Sequence, residues 1–309
     1  MSILLAILGA ISQGLSWAVL AIGVYIAFRI LNFADLTSEG SFALGGSITA
    51  VLIVTFDMNP YISLIFVVIG GMIAGAITGW LHTKLQIPAI LSGILTMIAL
   101  YSINLRVMGQ ANTSLLGKST IITIIKDIFP TAKELGMKDS TFSNFVSIGI
   151  GFIFALLVIC ILYWFFGTEI GCVIRATGNN EAMVRAQGVS TDKMKILGLM
   201  IGNGLIALSG GLVAQSQGYA DVGMGVGAIV IGLASIVIGE VIINKKSSFF
   251  HKLVAIVVGS IIYRIIIAVV LQLGLNTDYL KLLTAVIVAV ALSFPVIRRR
   301  SIGILKGGR

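Results

Sequence analysis

Apolar residues in this chain fall into long unbroken runs rather than the alternating or striped patterns of a soluble fold. The runs cover 3–28, 37–56, 60–81, 86–108, 144–166, 196–216, 225–243, 253–273 and 279–297. A hydrocarbon layer about 30 Å thick takes about 20 helical residues to cross, so the pattern predicts eight or nine transmembrane helices. Helices satisfy every backbone polar group within the segment, and the runs are too long and too continuous for tilted barrel strands. The expected fold is therefore all-α: a polytopic membrane protein forming one transmembrane domain over 1–309. The second run is the most interrupted, carrying Gly40, Gly45 and Gly46, and the pattern leaves open whether 30–46 is re-entrant or part of a true span.

Two polar stretches between the runs stand out. Residues 109–143 form the longest connection, with charge of both signs and a short apolar patch, 121–129, too short to span and suited to the membrane interface. Residues 171–189 are the longest interior segment unable to sit in lipid, and they carry Arg175, Glu181 and Arg185. Asn179 or Asn180 can cap a helix start with a side-chain oxygen, Glu181 in the first turn suits the positive helix end, and Gly188 supplies a left-handed stop. The spacing predicts a short surface helix over 180–187, a rigid handle for a soluble partner.

Composition agrees: 58% of residues are hydrophobic and only 11% charged, against about 25% charged in soluble domains. The net charge of +9 does not point to nucleic acid, because the basic residues gather in short loops beside apolar runs. Arg29, Lys84, Arg175, Arg185, Lys193, Lys195, Lys245, Lys246, Lys252 and the tail from Arg298 to Arg309 lie on one side. Lys118, Lys126, Lys133, Lys138 and Lys281 lie on the other. The positive-inside rule then places 171–189 and the carboxyl terminus inside and the amino terminus outside. The first run lacks a charged leading region and reads as a retained helix. Many of the 36 glycines, including Gly71, Gly75 and Gly79 and the pair Gly198 and Gly202, are spaced to let helices approach closely. Cys160 and Cys172 are about 18 Å apart if one helix carries both, too far to bridge.

Three features are candidates for chemistry. Asn32, Phe33, Asp35 and Glu39 lie in or beside a glycine-rich break, and non-helical backbone at membrane depth is tolerated only against protein or a water-filled cavity. The plainer alternative there is a solvated inner loop in which Asp35, Thr37 or Ser38 caps the second helix. Arg264, within the eighth run, must face protein, water or an acid such as Glu240, and a structural ion pair is its expected role. The stretch 216–227 is an outer turn whose glycines permit close backbone approach. No phosphate-binding loop of the Gly-Lys-Ser/Thr type is present, His82 and His251 are isolated, and no enzyme activity, metal site or cofactor is expected.

Arg175-Ala176-Thr177-Gly178-Asn179-Asn180-Glu181-Ala182, followed by Gly188-Val189 and Leu208-Ser209-Gly210-Gly211-Leu212, resembles the cytoplasmic signature of permease subunits of bacterial ABC importers for branched-chain amino acids, ribose and related solutes. Leu31-Asn32-Phe33-Ala34 and Met224-Gly225-Val226-Gly227 match in the same order. Asp35 to Ser41 looks like a branch of that family linked to amino-acid-like ligands, aromatic ones included. The resemblance implies a type II importer-like permease in the bacterial cytoplasmic membrane, working with an ABC ATPase dimer, an extracytoplasmic solute-binding protein and a second permease copy, with a homodimer expected. Arg175, Gly178, Asn179, Asn180, Glu181, Ala182, Arg185 and Gly188 would form the coupling segment against the ATPase. Asn32, Phe33, Asp35, Glu39 and Arg264 would belong to the translocation path. The rival readings are an ion-coupled secondary transporter using Glu39 and Arg264 at mid-membrane, and a membrane scaffold without flux.

Overall fold

The computed structural model describes residues 2–128, 139–242 and 248–273, together with positions 282, 284–286, 288, 289 and 293. Eleven α-helices are named in chain order: α1 (Ser2–Tyr25), α2 (Thr37–Val54), α3 (Pro60–Lys84), α4 (Ala89–Met108), α5 (Ile121–Ile128), α6 (Asp139–Gly167), α7 (Glu169–Asn179), α8 (Glu181–Ala186), α9 (Thr191–Gln217), α10 (Ala228–Ile242) and α11 (Phe249–Gln272). A π-helical turn, Ile26–Ile30, continues α1. Two short strands, β1 (Asn112–Ser114) and β2 (Tyr219–Asp221), pair antiparallel, a departure from a purely helical chain.

Among the described residues seven helices are long and apolar enough to cross a membrane, and α10 is a shorter apolar helix. The expected run 279–297 lies outside the described residues. Helix ends follow local chemistry. Asn59 accepts from the backbone N–H of Tyr61 and Pro60 opens α3, whereas Gly109 and Gly218 end α4 and α9 in the left-handed conformation. The run 225–243 starts its helix only at Ala228, because the glycine-rich turns before it fold against Glu39 instead.

The helices are arranged as two inverted halves. Each half packs across the other: α3 lies along α9, α11 lies along α1, and α1 meets α9 at the centre, where Gly23 faces Gly202. The order α1, α2, α3 recurs as α9, α10, α11 with every direction reversed, the arrangement of an inverted repeat. The small-residue expectation holds: side chains on Gly71, Gly75 and Gly79 would run into Asn203, Leu199 and Ile196 of α9. Helices α2 and α9 are the most enclosed, whereas α4 and α6 are mostly exposed and form the apolar exterior.

Charged contacts sort the helix ends onto two faces. On one, Arg29 pairs with Glu240, Lys84 with Asp192 and Lys195 with Glu181. On the other, Lys118 pairs with Asp57, and Gln215 accepts from the Ile121 N–H while donating to the Pro60 carbonyl. The first is the α8 face and the second the strand face.

Candidate coupling surface and transmembrane polar path

On the α8 face the polar stretch 171–189 becomes two helices. Thr168 caps α7 by accepting from the Gly171 N–H, and Asn180 leaves the helical region at φ −153°. Its side-chain oxygen then accepts from the Met183 N–H at 3.1 Å and opens α8. Of the two candidate caps, Asn180 is the one used, while Asn179 ends α7. Gly188 has the expected positive φ, +81°. Gly178 is held for another reason: a Cβ there would strike the carbonyl of Ile30, so α7 rests directly on the end of the first span.

The charges of α8 are turned back onto α9. Arg185 contacts Glu181 at 2.7 Å and Asp192 at 3.3 Å, Lys195 reaches Glu181 at 2.7 Å, and Thr191 bridges Arg185 and Glu181. Val184 is buried beneath them. Ala182, Met183, Ala186 and Gln187 are left exposed beside the outer part of Arg185, so the outward face of the handle combines small apolar side chains with one guanidinium whose charge is already paired. Arg175 is spent locally as well, its guanidinium lying 5.7 Å from the Phe249 ring and donating to the Cys172 sulfur.

Partial burial pushes the Glu181 carboxyl up, but Lys195, Thr191 and Arg185 together outweigh it and hold the group below its ordinary value. A depressed carboxyl stabilises the folded clasp above the unfolded pKa, about 4.3, and loses that contribution as pH falls through the lower folded value. Hydrogen exchange over 181–187, corrected for intrinsic rates, is therefore expected to accelerate relative to mid-α9 as pH drops from 6 to 3.5. Equal acceleration in both would show that the clasp does not depend on the Glu181 charge.

The break between α1 and α2 is not a solvated loop. After the π turn, Asn32 adopts φ +53°, a conformation that Asn tolerates better than most residues. Phe33 is buried and meets the His82 ring edge-on at 5.1 Å. Asp35 is fully buried: one oxygen accepts from the Thr37 N–H at 2.9 Å and the other from Asn203 Nδ2 at 2.6 Å. Ser41 donates to Asn203 Oδ1 at 2.7 Å, and Thr37 shares a 2.7 Å hydroxyl contact with Thr78. Asp35 thus caps α2 as the plainer alternative proposed, but within the protein interior. Glu39, half-buried, accepts from the Gly227 N–H at 3.0 Å, where the turns preceding α10 fold inward. The starts of α2 and α10 therefore meet inside the bundle.

Arg264 departs from expectation. Glu240 sits at the end of α10 and pairs with Arg29 at the end of α1, too far along the helix to serve a residue midway along α11. Arg264 instead lies over the Trp17 ring, 4.1 Å from its centroid, and donates to Gln13 Oε1 at 3.3 Å.

Sequence reasoning missed Asn203, Trp17 and Gln13. Two signals were available for the first. Asn203 is a lone amide between Gly202 and Gly204 in an apolar run, and Phe33-Ala34-Asp35-Leu36 recurs as Tyr219-Ala220-Asp221-Val222. The structure makes that repeat physical: Asp221 accepts from the Gly223 N–H at 2.7 Å just as Asp35 accepts from Thr37, and Asn112 faces it as Asn203 faces Asp35.

The family described as the branched-chain amino acid transport system permease component matches residues 6–292. A tyrosine transport system permease protein of Clostridioides difficile (strain R20291) is 38% identical over 282 residues, covering 91% of this chain and 88% of that one. The ribose import permease protein RbsC of Haemophilus influenzae (strain ATCC 51907 / DSM 11121 / KW20 / Rd) is 25% identical over 202 residues, 62% of this chain and 55% of that one. Among solved structures, PsaBC from Streptococcus pneumoniae in complex with Fab aligns over 94% of this chain and 88% of that chain, with 16% identity and a TM-score of 0.47. With nearly its whole length inside the family match, the chain belongs to the branched-chain amino acid transport system permease component family, as a multi-pass membrane permease and not an enzyme.

Proposed function

We propose that the chain is the permease subunit of an ATP-driven ABC importer in the bacterial inner membrane, with its amino terminus outside and its carboxyl terminus in the cytoplasm. It forms the path for an amino-acid-like solute, a reading favoured by the tyrosine-transport relative. The observation that carries this reading is the handle: α8 is clasped to α9 by Glu181, Arg185 and Lys195 and presents Ala182, Met183 and Ala186 outward. An ATPase dimer would seat that knob, and a binding protein would deliver solute to the strand face. A second copy of the chain would complete the path.

Helix α9 supplies the linkage. Its first turn holds the clasp through Thr191, Asp192 and Lys195, and Asn203, about 18 Å farther along the helix, holds the break before α2. Displacement of α8 by a closing ATPase would reach the α2 start through one rigid element. The state preferred by the ATPase would thereby be preferred at the path.

Co-purification from mild detergent tests the reading. The tagged native chain is expected to retain an ABC ATPase, and Met183→Asp to lose at least tenfold of it while eluting at the native position on size exclusion. Met183→Leu is expected to retain it. A native chain that comes out alone in every detergent tried would end the importer reading.

A further inference from the structure

Arg264 carries a cation into the middle of α11, and no carboxylate meets it among the described residues. A guanidinium at that depth is retained at considerable cost unless something uses it. Stacking on Trp17 answers part of its charge, and Gln13 takes one of its N–H groups. Among the described residues, two buried donors of the stacked pair nevertheless lack an acceptor: Arg264 Nε and Trp17 Nε1. Buried donors are nearly always paired, and each exception calls for an explanation. Here both exceptions belong to two side chains in contact, and both are N–H groups beside a positive charge.

The surroundings point to the same chemistry. A cavity of about 430 Å³ lies at the strand face between α1, α5, α6 and α9, within the range of small-molecule sites. Its walls include Gln13, Lys118, Lys126, Asn144 and Gln215, and among the described residues no Asp or Glu lines it. Gln13 is the hinge of the arrangement, since it lines the cavity and touches Arg264. An anion entering from the strand face would pass two ammonium groups, that of Lys118 paired with Asp57 and that of Lys126 with no carboxylate among the described residues, and meet, behind one movable amide, a guanidinium and an indole with a free N–H each.

We propose that Arg264, Trp17 and Gln13 form a carboxylate station at the foot of this cavity, binding the carboxylate of an amino-acid-like solute as it leaves the strand face. The station rests on the transport reading above and deepens it, because the permease then carries charge selectivity of its own. Arg fits the role better than Lys, since its planar fork meets a carboxylate with two parallel bonds. Gln13 is the switch residue, its Oε1 occupying one guanidinium donor until a carboxylate displaces it. The backbone amine of the solute would be left to the amide and hydroxyl oxygens of the cavity wall.

The test is a direct titration of the purified full chain, with no ATPase or binding protein present. The chain has three tryptophans; Trp80 and Trp164 are exposed on the apolar exterior, so Trp80→Phe with Trp164→Phe leaves Trp17 as the sole reporter. L-leucine is expected to change Trp17 emission saturably, and leucinamide, which keeps the amine and lacks the carboxylate, is expected to do nothing. Arg264→Gln should weaken the response at least tenfold. Should that variant misfold, Gln13→Glu replaces it: an internal carboxylate beside the guanidinium is expected to raise thermal stability and abolish the leucine response. Asp278→Asn, altering an acid outside the described residues, should leave the response intact. Equal responses to leucine and leucinamide, no response to either, an unaltered Gln13→Glu titration, or loss in Asp278→Asn would each overturn the station. An intact response in a chain that never co-purifies with an ATPase would keep the station and end the importer reading; ATPase retention without the response would do the reverse.

Discussion

Asn203→Leu is expected to destabilise the bundle severely and to stop transport. Asn203 gives Asp35 a 2.6 Å hydrogen bond and receives the Ser41 hydroxyl at 2.7 Å. Leucine is close in size but leaves both groups buried without their partner. Each orphaned buried group costs about 1–3 kcal/mol, so a loss on the order of 3 kcal/mol is expected, with a large fall in the detergent melting temperature. Exchanging the pair restores the pattern in reverse: Asp35→Asn combined with Asn203→Asp puts an amide donor at 35 and a carboxyl acceptor at 203. That acceptor can still take the Ser41 hydroxyl, and the amide oxygen at 35 can still cap Thr37. The Leu199 carbonyl loses the N–H it takes from Asn203 Nδ2, so the double variant should recover part of the stability lost by either single change, a coupling that a double-mutant cycle measures directly. Simple additivity of the two single effects would show that the contact does not hold the break together.

Gly210→Val should prevent assembly altogether. At the crossing of α2 and α9, a Cβ on Gly210 would meet the Phe42 carbonyl, and a Cβ on Gly45 would meet the Ala207 carbonyl. Both obstacles are backbone, so no side chain can turn aside, and the helices must separate. Separation withdraws Asn203 from Asp35 on the same pair of helices. In lipid, close backbone contact is itself a large part of what drives helix association. Fluorescence-detected size exclusion should show the monodisperse peak replaced by aggregate. Gly149→Val is the control, because a Cβ there meets nothing within 4 Å, and its peak should stay native. A native peak and native transport in Gly210→Val would mean that the crossing is looser than described.

Hydropathy located the seven long spans of the described residues because the requirement is one-dimensional: enough apolar residues in a row to cross. The short helix of 180–187 was legible as well, since the Asn180 cap and the Gly188 turn act within one helical turn, whereas the reach of Glu181 to Thr191 and Lys195 was not. What escaped is long-range. The helix α7 was hidden in a stretch read only as polar, and its closeness to the first span shows only when Gly178 meets Ile30. Glu240, a possible partner of Arg264 whose place near the inner end of its run already matched poorly in depth, is found at that end and paired with Arg29. Asn203 looked inert until the fold set it against a residue 168 positions away. Trp17 read as apolar filling, although its ring faces a cation from the other half of the chain.

That 168-residue separation also sets a schedule for biogenesis. At ribosomal rates of about 5–20 residues per second, Asn203 emerges roughly 8–34 s after Asp35. During that interval the α1–α2 break has no amide to receive its carboxyl group, and α3 has no α9 to cover Gly71 and Gly75. The nascent first half must therefore wait at the insertion machinery or its watery flank, and a chain terminated before α9 would present a half-bundle with open polar seams to the quality-control proteases. Completion of α9 is the step at which this permease stops being a set of inserted segments and becomes a folded protein.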